Sequence, residues 1–322
     1  MERYIHRLLD SVLAQSYPVI EMYVIDDESV DNSVKIVEDY IDKFEARGFS
    51  LQCIHQEHAG QSNAIKKGLQ FIKGKYLVWP DADDYYASDD AILEMVATLE
   101  NSSEEFKMVR TQERIVLDGS FKEIELRGIT AKEEEERSLF EDCLFGKNGF
   151  FFASGAYMLD VQALRLATNF DIYTNPDAGQ NWQLLLPVLH EHRCKTILKP
   201  YYNVVRRKDS HSRMGSASFE DIEKRKLTYY ETQIETLKRI KGLSSDQLDR
   251  YKTDLKVFYA HILFKLSISQ NRRCKTKEYF ETLKDYNSET PKERFFFGLS
   301  KAKWILPLAI KIKRMLKNGR HL

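Results

Sequence analysis

From Tyr4 to Gln15 the apolar residues Ile5, Leu8, Leu9, Val12 and Leu13 recur at the i, i+3, i+4, i+7 spacing of an amphipathic helix, which Tyr17-Pro18 ends. Met22–Ile25 is a short apolar run closed by Asp26-Asp27 and predicts a buried strand. Asn32 to Phe44 has a helical pattern, and Leu51–Gln56 predicts a second strand. The stretch HAGQSNAIKKGLQFIKG passes through a Gly/Ser turn into another helix, and Lys75–Pro80 predicts a third strand followed by DADDYY. Strands and helices alternating at this rhythm predict a parallel α/β sheet with right-handed crossovers.

Further strands are expected within residues 105–127, as antiparallel partners, and at Phe150–Leu159, with a short helix running to about Leu166. NWQLLLPVLHEH predicts a helix and CKTILKP a closing strand. After Tyr201–Val205 the texture changes to long basic helices at roughly 219–241, 244–270 and 275–286. The boundary is placed in the Ser-rich stretch at 206–218, giving a domain over 1–205 and a basic helical region over 206–322.

The 322 residues carry no formal net charge, which by itself argues against a nucleic-acid or polybasic membrane partner. Divided by segment the charge separates. Residues 1–199 hold 35 acids and 21 bases, and residues 200–322 hold 14 acids and 28 bases. The last stretch, 294–322, has eight Lys/Arg and no acid. Its Ile305, Leu308, Ala309, Ile312 and Leu316 share one helical face, away from Lys303, Lys311, Arg314 and Lys317. That pattern suits either an interfacial helix on anionic lipid or a helix docked on an acidic protein surface. No apolar run is long enough to span a bilayer, and the first residues lack a signal-peptide pattern. Cys53, Cys143, Cys194 and Cys274 form no CxxC pair and read as reduced thiols of a cytoplasmic protein.

The candidate chemistry lies in two acidic clusters, Asp26-Asp27 and Asp81–Asp84, both at the C-terminal ends of expected parallel strands. Open α/β sheets bind ligands there. Asp81 and Asp83, spaced i and i+2, suit one ribose and one hard divalent cation that offsets charge on a leaving diphosphate. The same acids also suit helix capping. A two-component receiver domain lacks its later phosphoacceptor strand here, and a haloacid dehalogenase loop does not accommodate Tyr85-Tyr86. A sugar-1-phosphate nucleotidyltransferase would need a Gly-rich basic loop near its start.

Four segments in order resemble the family 2 glycosyltransferases: LLDSVLAQSYPVIEMYVIDDESVDNS, HAGQSNAIKKGLQFIKGKYLVWPDADD, FFFASGAYMLDVQAL and GQNWQLLLPVL. The resemblance implies a GT-A fold, with a mixed, mostly parallel sheet flanked by helices, over about 200 residues. It places Asp26 and Asp27 near the uracil or its equivalent, Asp81 near the ribose and Asp83 on a Mg²⁺ or Mn²⁺ ion. The implied reaction is inverting transfer from a nucleotide-sugar donor, probed first as a UDP-sugar, to a lipid-linked or glycan acceptor. Bacterial surface-polysaccharide assembly at the inner face of the cell membrane is the implied setting, with no nucleic-acid partner.

Two departures from the family pattern bear on this reading. Members usually open on an apolar strand ending near Pro-x-Tyr-Asn, whereas this chain starts within the helix that follows. A mis-set start or a truncated copy is expected, leaving unpaired backbone groups in the sheet. The helix that usually carries a Glu-Asp base reads Gln180-Asn181, and an amide is no general base. Asp177 is then the candidate base, or merely a helix cap, and Asn181 a group that orients the acceptor. Arg206, Arg207, His211 and Arg213 are offered to the diphosphate, or form a solvated basic linker. The competing functional class is a non-catalytic sugar-nucleotide-binding or scaffold protein.

Overall fold

A computed structural model describes residues 1–128, 138–207 and 218–301. They divide into two compact units: Met1–Met214 with Thr232–Leu243, and Gly215–Glu231 with Ser244–Leu322. Thr232–Leu243 returns to the first unit through specific bonds. The Gln233 side-chain amide donates to the Leu144 carbonyl, Lys241 N donates to the Ala167 carbonyl at 2.8 Å, and Arg239 pairs with Asp171 at 3.3 Å.

The first unit starts with α1 (Ile5–Leu13), which buries Ile5, Leu8, Leu9 and Val12 on one face, as the spacing predicts. β1 (Glu21–Asp27) leads to α2 (Ser33–Glu38) and α3 (Ile41–Arg47), in place of the single helix expected over 32–44. The break lies at Asp39-Tyr40, where Tyr40 N turns back to the Val37 carbonyl and the Tyr40 hydroxyl donates to Asp10 at 2.6 Å. Gly48, in the left-handed region at φ 82°, ends α3. β2 (Ser50–Gln56) pairs parallel with β1, as the strand-helix-strand rhythm predicts.

α4 (Gln61–Gly68) precedes β3 (Tyr76–Leu77), which is shorter than the expected 75–80 strand and lies in a different sheet from β1. Then follow β4 (Tyr85–Tyr86), α5 (Ala91–Glu100), β5 (Phe106–Leu117), β6 (Glu123–Arg127) and α6 (Phe140–Phe145). β7 (Tyr157–Asp160), α7 (Val161–Thr168), α8 (Asn181–Glu191) and β8 (Arg193–Arg206) complete the order. The second sheet runs β3-β7-β5-β8-β4, with β6 beside β5.

This is a mixed α/β fold. The two longest pairings, β1 with β2 and β5 with β8, are parallel, and the four short ones are antiparallel. Leu9, Met95, Met108, Leu144, Leu159 and Leu184 are among its fully buried core residues. The expected 150–159 strand is reduced to its end. Ser154–Ala156 forms a 3₁₀ turn instead, because Gly155 must pass the ring of Tyr202.

The second unit is helical. It comprises the start of α9 (Phe219–Arg239), then α10 (Ser245–Ser269), α11 (Arg273–Asp285) and α12 (Pro291–Lys301). Its core gathers Phe219, Leu263, Phe264, Tyr279, Phe280 and Leu283. Ser244 and Gln247 cap α10 reciprocally. Among the described residues no helix is long and apolar enough to cross a membrane. The proposed apolar face Ile305–Leu316 lies outside the described residues, as does His211.

Candidate active site

The Asp81–Asp84 loop is held from three directions. Asp81 N donates to the Tyr202 hydroxyl at 3.2 Å. Its Oδ2 accepts from Ser154 Oγ at 2.9 Å, and its Oδ1 accepts from Gln180 Nε2 at 3.2 Å and Gln61 Nε2 at 3.3 Å. Gln180 Nε2 also reaches Ser154 Oγ at 3.3 Å. Three separate segments of sequence therefore converge on the Asp81 carboxylate, and a fourth meets its backbone N–H. Burial pushes the Asp81 carboxyl up to about 6; the Ser154 bond opposes this, Asp83 adds like-charge repulsion, and Gln180 opposes it in turn.

Asp84 lies deeper, and its Oδ1 accepts from Val205 N at 2.8 Å. Burial, then the charges of Asp81 and Asp83, hold its carboxyl well above the usual carboxylate range. This bond ties the loop to the end of β8, so Arg207, two residues after Val205, sits beside the acids. Arg207 pairs with Asp83 at 2.8 Å, and both side chains are largely buried. Arg206 pairs instead with Glu125 on β6 at 3.2 Å.

Tyr202 reaches the loop only because residue 155 is glycine. A Cβ there would lie 2.1 Å from the Tyr202 ring. Ser154, Gly155 and Tyr202 thus form one support beneath Asp81: a donor, a passage and an acceptor.

The second acidic cluster sits at the ends of β1 and β2. Their parallel register sets Asp26 beside His55 and Asp27 beside Gln56. Asp26 accepts from Ser29 N at 3.2 Å and meets His55 Nδ1 at 3.2 Å. Burial works against its ionisation, but the Ser29 and His55 bonds hold its carboxyl below the usual value. Asp27 accepts from Gln56 Nε2 at 2.7 Å, Ala59 N at 2.8 Å and Gly60 N at 3.0 Å, and meets His58 Nδ1 at 3.0 Å. Its carboxyl is likewise held down by Gln56, Ala59, Gly60 and His58 against the cost of burial. A carboxylate offers about four acceptor positions, so Asp27 is fully engaged in shaping the 56–60 turn.

That turn in turn holds the loop before α8. Ser62 Oγ donates to the Asn175 carbonyl at 2.9 Å and accepts from Asn175 N at 3.1 Å. Gly60 has φ +87°, and a Cβ on it would lie 2.5 Å from the Pro176 carbonyl oxygen. The Gly-x-Ser motif therefore docks the segment carrying Asp177, which is exposed. Gly60→Ala is expected to destabilise the protein by about 2–3 kcal/mol, through both the backbone strain and the clash. Chemical denaturation checks this, and an unchanged midpoint contradicts it.

At the start of α8, Asn181 Oδ1 accepts from Trp79 Nε1 at 3.0 Å. Gln180 and Asn181 together tether α8 to the Trp79–Asp84 segment, Asn181 at Trp79 and Gln180 at Asp81.

Residues 2–158 match the sequence model of Glycosyl transferase family 2. That stretch belongs to this family. A glycosyltransferase of Streptococcus pneumoniae, GlyA, is 35% identical over 89 residues, covering 28% of this chain and 12% of its own. The uncharacterized glycosyltransferase EpsJ of Bacillus subtilis is 36% identical over 88 residues, 27% of this chain and 24% of its own. The uncharacterized glycosyltransferase YibD of Escherichia coli is 34% identical over 76 residues, 24% of this chain and 21% of its own. The chain thus spans less than a quarter of the length of these relatives. Among solved structures, residues 1–349 of TarS from S. aureus, in complex with UDP-GlcNAc, align over 99% of this chain and 89% of theirs, with TM-score 0.59 and 16% identity. At that identity the likeness speaks for the fold alone, one of GT-A type.

The sequence reading missed Gln180, Ser154 and Tyr202 as supports of Asp81. His55 meets Asp26 and His58 meets Asp27, contacts with no local sign in the sequence. Residues 29 and 31 apart pair only once the parallel register is known. Among the described residues no three His, Cys, Asp or Glu side chains form a cluster able to hold a metal by themselves. Asp83 is a hard-oxygen carboxylate that already binds a cationic group, Arg207. One such carboxylate completed by phosphate oxygens is a usual Mg²⁺ arrangement, so the residues fit an ion that arrives with a diphosphate.

Proposed function

We propose that the family 2 domain transfers a sugar, with inversion, from a nucleotide-sugar donor of the UDP class to a lipid-linked or glycan acceptor in surface polysaccharide biosynthesis. The observation that carries this reading is the convergence on Asp81. The donor-side loop and the acceptor-side helix are joined directly by the Gln180–Asp81 bond, as a transfer between two bound molecules requires.

Asp26 retains acceptor capacity for a nucleobase N–H, while Asp27 acts by shaping the turn. Asp81 faces the ribose. Asp83 would hold Mg²⁺ or Mn²⁺, which when bound supplies positive charge to the departing diphosphate. The acceptor hydroxyl oxygen attacks the anomeric carbon, its proton passes to Asp177, and the bond from that carbon to the phosphate oxygen breaks, the electron pair leaving with the diphosphate. The amide of Asn181, fixed by Trp79, orients the acceptor. Arg207, paired with Asp83, is offered to the diphosphate, with Arg206 one residue before it. The basic 294–322 segment supports attachment to anionic membrane at the cytoplasmic face.

Asp177→Asn tests the base. Turnover is expected to fall about 100-fold with donor binding retained, measured by mass spectrometry of product from purified protein, donor, metal and a lipid-linked acceptor. Unchanged turnover removes Asp177 from the role. The alternative, a non-catalytic sugar-nucleotide-binding protein, rests on the amides at 180 and 181. It requires donor binding with neither transfer nor donor hydrolysis across a donor screen.

A further inference from the structure

Asp83 and Arg207 form the closest cation–carboxylate contact at the acidic loop, at 2.8 Å, with side chains only 17% and 12% exposed. Three features show that the contact is built. The backbone bond from Val205 to Asp84 fixes the end of β8 against the loop. The Arg207 guanidinium lies over the Tyr4 ring, 5.0 Å from its centroid, and Tyr4 is itself fixed by a 3.1 Å hydroxyl bond to Asp118. Arg207 Nε is buried and has no acceptor among the described residues. A buried donor without an acceptor is costly, so this guanidinium is held beside Asp83 with one hydrogen-bonding position unused.

We propose that Arg207 is the resident counter-ion of Asp83, that a divalent cation must displace it, and that the nucleotide diphosphate is what draws it away. This rests on the reading of Asp83 as the metal carboxylate.

The chemistry favours such an exchange. Asp81, Asp83 and Asp84 follow one another within four residues, and an uncompensated Asp83 beside them would be destabilised by like charge. Arg207 compensates it when no ion is present. A divalent ion and a guanidinium cannot both sit against one carboxylate without mutual repulsion, so the ion alone binds weakly. A diphosphate changes the balance, because a guanidinium matches phosphate oxygens by charge and by fork geometry. Arg207 then gains acceptors, including one for Nε, as Asp83 gains the ion. The cation and the nucleotide should therefore bind cooperatively, each removing an obstacle to the other. Arg207 becomes a positioning residue before donor binding and a diphosphate ligand after it.

The test is Mn²⁺ binding followed by electron paramagnetic resonance on the full chain, with and without UDP. Wild type is expected to bind Mn²⁺ weakly alone and more tightly with UDP. Arg207→Ala and Arg207→Gln should each bind Mn²⁺ alone about tenfold more tightly than wild type, and should bind UDP more weakly in saturating Mn²⁺. A merely structural role would weaken both. If both variants bind Mn²⁺ alone no more tightly than wild type, while Asp83→Asn abolishes Mn²⁺ binding, the displacement is overturned and the metal reading stands. If Asp83→Asn binds Mn²⁺ as wild type does, the metal reading itself fails and the displacement falls with it.

Discussion

Asp83→Ala is expected to lower sugar transfer by about a thousandfold or more, because the leaving diphosphate would lose the group that anchors its compensating ion. The loss should appear in turnover more than in donor affinity, since charge on the diphosphate is greatest as its bond breaks. The same substitution strands Arg207, whose carboxylate partner lies at 2.8 Å in a mostly buried setting. A stability loss of about 2 kcal/mol is expected beside the catalytic one. Asp83→Asn separates the two effects, because the amide oxygen can still accept from Arg207 but binds a divalent ion poorly. Transfer rates and thermal melts on both variants check this. An alanine variant that keeps transfer within about twofold of the parent contradicts the assignment.

Gly155→Ala is expected to be the most damaging small substitution in the fold. The added methyl would lie 2.1 Å from the ring of Tyr202, a fully buried side chain. No rotamer of a buried tyrosine frees that space without moving its neighbours, among them Tyr86, whose ring centroid is 5.5 Å away. Overpacking of this kind costs up to about 4 kcal/mol, which for a domain of this size lowers Tm by about 10 °C. The effect should reach function as well. Displacing Tyr202 removes the acceptor for Asp81 N, and moving Ser154 removes the donor to Asp81 Oδ2. A melting temperature near that of the parent would show that the ring relaxes freely.

β1, β2 and the positions of the helices between them are readable from hydrophobic period, although Met22–Ile25 is only half-buried in β1, β3 is shorter than its apolar run and the 32–44 helix breaks in two. Asp26-Asp27 closes the parallel strand β1 as expected, whereas Asp81 lies beyond the end of β3, which pairs antiparallel with β7. What stays hidden is whatever depends on register. β5 and β8 pair in parallel from Phe106 with Arg193 to Leu117 with Arg206, across a separation of nearly ninety residues. No local pattern encodes that pairing, yet it delivers Arg207 to Asp83. The Ser154–Ala156 turn is hidden for another reason. FFFASGAYML has the composition of a strand, and tertiary contact with Tyr202 overrides the local preference. Gln180 stands where the family pattern has an acid. Its amide is a donor to Asp81, where a carboxylate would add repulsion to a group that burial already disfavours as an anion. The part Asp27 plays in the 56–60 turn is hidden in the same way, because the fold alone brings Gln56, His58, Ala59 and Gly60 to it.

β1 and β2 share no ladder bond with the six-stranded sheet among the described residues. Two ladders without common hydrogen bonds can open one at a time, so the end proposed for the nucleobase is expected to open apart from the loop that holds Asp81. Amide protons of β1 and β2 should then exchange with solvent through openings that leave β5 and β8 closed. Ligand binding would couple the two parts, since a nucleotide reaching from Asp26 to Asp83 spans both. The donor itself would serve as the splint that makes these two sheets behave as one.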